Sequence, residues 1–228
     1  MTALFAYQTA LLLRSQRWLP PLLLYAVFVA VGVQPGQPVL DSLGYTAAAL
    51  VPVTAWLVRI CANQEPSAAR DVAAAATGAP RVHLAALLTA LAGAGSLGAV
   101  AVAVVTLVSR ASSADNSVAV PRLDAGAAGL LGAAVCVLTG AAVGALCTRP
   151  LLHGRGWSLA ATALLTLLAL VGDGSPAKEA VTGLVTGSRT GAVPLGLLPP
   201  VAALLIAGTV VALVCALTTW RGPAGGTS

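Results

Sequence analysis

Charge is what this sequence has least of. Only 8% of its 228 residues are Asp, Glu, Lys or Arg, about a third of the ~25% that soluble domains carry. Hydrophobic residues make up 58% and the mean hydropathy is +0.92. Such a chain cannot clothe a water-facing surface, which excludes a soluble globular domain. Aromatics are sparse at 4%, so the apolar mass is Ala, Leu and Val. The net charge of +5 does not indicate a nucleic-acid binder: no basic run exists and no aromatics interleave the cations. Lys and Arg stand singly at the ends of hydrophobic segments, the placement membrane proteins use.

The chemistry-bearing residues are equally thin. Cys61, Cys136, Cys147 and Cys215 fit no metal or redox spacing and are read as small apolar residues. His83 and His153 lack acidic or cysteine neighbours at ligand spacing. No metal site and no cofactor is expected. Ser96 has no histidine in another span to activate it. No HExxH and no GxxxxGK[ST] occurs. The expectation is therefore a protein that is not an enzyme and does not bind ATP through a P-loop. No hydrophobic segment carries a charge at its centre on this reading, which argues against a proton relay or an ion-coupled carrier.

What is present is a series of apolar segments with Gly (24) and Pro (14), residues that membrane helices tolerate better than soluble ones. Residues 1–17 are expected to form an amphipathic helix in the plane of the interface. Leu4, Phe5, Tyr7, Leu11 and Leu12 share an apolar side, while Gln8, Thr9, Ser15 and Gln16 lie opposite. Arg14 and Arg17 would anchor it among headgroups. Six spans follow, near 18–33, 43–61, 82–108, 125–147, 157–171 and 195–220, within a transmembrane domain of residues 18–221. Pro52 should kink the second. Gly93, Gly95 and Gly98 in the third, and Gly140 with Gly144 in the fourth, are small residues that permit close helix approach. A polar stretch, 173–194, has an apolar core from Ala177 to Val185 that would make a short helix on the outer surface. Residues 222–228 would be a disordered tail. The expected fold class is all-α: a six-span membrane protein with an interfacial first helix.

Orientation follows from the cations. With the N-terminus inside, eight basic residues fall on the inner side and four outside. The basic excess places both termini in the cytoplasm.

The most informative stretch is Arg59–Leu88. Ser67 to Ala76 is an Ala-rich helical pattern, preceded by Pro66 and closed by Gly78 and Pro80, the order of punctuation expected at helix ends. Arg70 and Asp71 would sit on its surface. This predicts a helix outside the bilayer between two spans, a place where a soluble partner could apply force.

This order of parts resembles the membrane subunit of type-2 ATP-binding-cassette exporters of bacteria. The likeness includes an acidic residue after the second span (Glu65), a short helix (Ser67 to Ala76), and the step Gly78-Ala79-Pro80-Arg81 into the third. The resemblance implies that residues 1–17 are an elbow helix. Residues 65–77 would be a coupling helix docking on a cytoplasmic ATPase subunit through Glu65, Ser67, Arg70, Asp71 and Arg81. The basic loop 148–156, with Arg149, His153 and Arg155, would be a second inner contact. It further implies a second permease copy or homologue as partner, residence in the bacterial plasma membrane, and export of an apolar or amphipathic cargo such as a lipid, peptide or antibiotic. The alternative is a non-transporting accessory or scaffold subunit of the same topology.

Overall fold

A computed structural model describes residues 1–148, 155–194 and 196–220. Among them there is no strand, only two isolated bridges, and the chain is organised as helices: α1 (Thr2–Ser15), α2 (Leu19–Gly32), α3 (Val39–Asn63), α4 (Ser67–Thr77), α5 (Ala79–Val108), α6 (Arg122–Leu146), α7 (Arg155–Val171), α8 (Pro176–Thr190) and α9 (Leu198–Trp220). Tail residues 222–228 lie outside the described residues.

The first helix is separate from the second. Gln16 takes a left-handed conformation, φ 52°, which ends α1, and Pro20 and Pro21 open α2, where missing amide donors cost nothing. Four helices, α3, α5, α6 and α9, are long and apolar enough to cross a membrane. The pair α7 and α8 passes the same test jointly, bent by 45° at its break. α2 is apolar, but its 14 residues fall short of the ~20 that span a bilayer.

The core lies where α3, α5 and α6 meet. α3 is buried along most of its length and continues as one helix through Pro52. It runs parallel to α6 in close contact because α6 presents glycines to it. A Cβ on Gly140 would come 2.5 Å from the Val51 carbonyl oxygen, and one on Gly144 2.9 Å from that of Ala55. Gly129 and Gly132 meet Leu43 and Leu184 in the same way. Without side chains in between, the two backbones approach and gain dispersion contacts, the means by which helices associate where lipid is as apolar as protein. α5 crosses antiparallel, with Gly98 against Leu50, whereas Gly93 and Gly95 face nothing within 4 Å.

The end of the bundle opposite α4 is tied by its loops. Val39 N–H donates to the Arg110 carbonyl, Arg110 N–H to Gln37, and Ala114 N–H to Ser188. Asp115 accepts from the Ser113 and Ser117 hydroxyls at 2.6 and 2.8 Å. These bonds hold its carboxyl down at about 2, from an ordinary 3.8.

α8 covers the short helix expected within 173–194 and is 15 residues long. Glu179, Thr182, Thr186 and Arg189 keep one face exposed, while the opposite face is built into the bundle. Leu184 is 1% exposed and seats against α3 at Gly44 and α6 at Gly132. Lys178 and Glu179, in the first turn of α8, follow directly on the α7–α8 break.

Candidate docking site on the helix between two spans

α4 begins after Pro66 and ends at Gly78, whose φ of 92° is a backbone conformation that favours glycine. Gly78 N–H donates to the Ala74 carbonyl at 2.8 Å, and its own carbonyl accepts from Arg81 N–H at 3.1 Å. One glycine therefore closes α4 and starts α5, with Pro80 in the first turn of α5.

The other end of α4 is pinned by Arg70. Its Nη2 donates to the Ala62 and Glu65 carbonyls, both at 3.1 Å, supplying donors where α3 ends and its last carbonyls lack partners. Glu65 is 6% exposed and accepts from Gln8 Nε2 at 3.1 Å. Gln64 Nε2 donates to Gln8 Oε1 at 2.7 Å and to the Gln8 carbonyl at 3.3 Å. A buried carboxylate is tolerated when hydrogen bonds satisfy it. Here the bonds also lock α1 to the α3–α4 junction. The Tyr7 hydroxyl, beside this carboxylate, has its pKa raised, by desolvation first and then by the Glu65 charge and hydrogen bond.

Gln8 corrects the reading of α1. The helical wheel put it on the polar side, yet it is 1% exposed, while Phe5 and Tyr7 from the apolar side are exposed. The apolar residues of α1 run nearly all the way round, so the wheel carried little orienting information. The polar partner lies fifty-seven positions away, where no local pattern can reveal it.

The sequence-predicted residues thus divide. Glu65 and Arg70 face inward and build the seat of α4. Ser67 is the first residue of α4. Asp71 and Arg81 are exposed. Among the residues of α4 whose exposure is described, the exposed ones are Ala68, Asp71, Val72, Ala75 and Ala76, a stripe at i, i+3, i+4, i+7 and i+8 that keeps to one helix face. Val72 is 71% exposed. The stripe is small-residued, so another backbone could approach closely, and it carries one negative charge. Arg149 and His153 lie outside the described residues, and Arg155 is the first residue of α7. Gly140 and Gly144 are at the α3–α6 contact. The sequence missed Gln8 and Gln64 as parts of the site.

No family model, no curated protein and no solved structure matches the chain.

Proposed function

We propose that the chain is the membrane-spanning permease subunit of an ATP-driven exporter in a bacterial plasma membrane, paired with a second permease copy or homologue and driven by cytoplasmic ATPase subunits. On this reading α3, α5, α6, the bent pair α7–α8, α9, and α2 completed to bilayer length by its flanking residues make six crossings. Both termini and α4 then lie in the cytoplasm, as the distribution of cations favours.

The observation that carries the reading is the mounting of α4. It is a short helix held at both ends between two long apolar helices and cross-linked to α1 through Glu65 and Gln8. Its outward face is the stripe from Ala68 to Ala76. A partner seated on that stripe would move α3, α5 and α1 together, because the Arg70 and Glu65 bonds leave α4 little freedom of its own. ATP-driven closure of two ATPases would then bias a two-state bundle through these helices. The Ala, Leu and Val surface suits an apolar or amphipathic cargo, and ATP hydrolysis would reside in the partner chain.

The test is whether a neighbouring-gene ATPase co-purifies with the chain and is lost when the stripe is charged. An accessory subunit with no transport role would leave transport indifferent to such changes.

A further inference from the structure

The break between α7 and α8 joins two observations that the exporter reading does not use. The first is its depth. Ser158 Oγ, early in α7, donates to the Cys147 carbonyl at the end of α6, at 2.6 Å. At the other end of the pair, the Ser188 carbonyl accepts from Ala114 N–H in the loop at the far end of the bundle, at 2.8 Å. The segment Gly172–Ser175 lies at nearly equal sequence distance from Ser158 and Ser188. Just beyond it, Glu179 lines a cavity whose α6 wall runs from Ala128 to Val135, up to the middle of the 25-residue α6. That helix rises about 37 Å at 1.5 Å per residue, more than the ~30 Å hydrocarbon core. The break therefore sits about halfway across.

The second observation is its charge. Asp173 and Lys178 pair at 2.5 Å, with their side chains 99% and 36% exposed on the isolated chain. Glu179 follows, also exposed, and no described side chain pairs with its carboxylate. Charges and interrupted backbone at mid-membrane depth are not left against hydrocarbon; they face protein or a water-filled cavity. Gly174 (φ 81°) carries the turn. A cavity of about 130 Å³ reaches Glu179, five residues past Gly174, and is bounded by α6, α8 and the start of α9, with Gly132, Gly183, Pro199 and Pro200 in its apolar wall and Glu179 as the one ionisable group among the described residues that line it. An apolar pocket with one acid suits a cationic head carried on an apolar body.

We propose that the α7–α8 break is a water-reached station halfway across the membrane, where Glu179 at the edge of this cavity receives the cationic group of an amphiphile. In naming that amphiphile as cargo, the inference rests on the exporter reading. The water and the binding site do not.

Two measurements test it without any ATPase. In membranes bearing the chain with its four cysteines replaced, Asp173→Cys should react with a membrane-impermeant maleimide, and Leu167→Cys, on the exposed side of α7, should not. In lipid nanodiscs, calorimetry with hexyltrimethylammonium, empty discs subtracted, should show binding that weakens about tenfold in Glu179→Gln, the scale of one partly screened ion pair. Glu179→Asp should retain it, and hexanol should bind alike to both. An unlabelled Asp173→Cys overturns the water-reached station. Equal ammonium affinity in the wild type and Glu179→Gln overturns the binding site. If either holds while no ATPase partner exists, the exporter reading fails separately from this one.

Discussion

The Gln8 side-chain amide donates to the Glu65 carboxylate at 3.1 Å, joining two residues fifty-seven positions apart inside a buried polar cluster. The bond makes the first helix and the inter-span helix one mechanical unit. Removing one partner strands the other in an apolar surround at a cost of about 1–3 kcal/mol. Glu65→Ala and Gln8→Ala should each lower the thermal midpoint in detergent, with Glu65→Gln milder because an amide oxygen still accepts. The double variant should be less than additive, since the residues share one interaction, the unshared part of the Gln8 loss being its bond from Gln64. Additive losses would show that they act separately.

The glycines of α6 and α5 should respond in opposite directions. Gly140→Leu and Gly144→Leu force a side chain into α3, an overpacking that typically costs 1–3 kcal/mol. They should destabilise the purified protein or prevent its assembly. Gly93→Ala and Gly95→Ala meet open space and should be neutral or stabilising by up to ~1 kcal/mol, the helix propensity gained. Thermal unfolding of the four variants decides this.

Asp115 gives a pH signature at the far end of the bundle. Its carboxyl, held near 2 by the Ser113 and Ser117 bonds, stabilises the loop as long as it is ionised. The contribution is complete above the ordinary value of 3.8 and is lost as pH falls through about 2. Asp115→Asn should speed amide exchange of residues 113–118 at pH 6 relative to the wild type, and the difference should vanish at the lowest pH. A difference unchanged by pH would assign the loop's order to other bonds.

Where the sequence was legible, punctuation made it so. Pro66, Gly78 and Pro80 mark α4 almost to the residue, and Arg14 and Arg17 with the two prolines behind them separate α1 from α2. The long apolar helices were visible from composition alone. Inward and outward faces were not. In a membrane protein lipid-facing and buried residues are equally apolar, so periodicity loses the contrast it has in water. That is why Gln8 went to the wrong side of α1, and why the short helix expected over 177–185 gave no sign that Leu184 packs in the core. The charged break escaped notice because the ends of the α7–α8 pair are fixed by hydrogen bonds of Ser158 to Cys147 and of Ala114 to Ser188, which no local pattern encodes. Glu65 and Arg70, named as docking residues by the resemblance, turn inward through bonds to Gln8, Ala62 and the Glu65 carbonyl, and Asp71 and Val72 are exposed.

The central claim, that α4 docks an ATPase, is tested by co-expressing the chain with its neighbouring genes and purifying it from mild detergent. The variants are Asp71→Arg and Val72→Glu, both on the exposed stripe and away from the Arg70 and Glu65 bonds. The account predicts a stoichiometric ATPase subunit with the wild type and its loss from both variants, with thermal midpoints unchanged. Purification of the wild type without an ATPase, or with one that both variants retain, would contradict it.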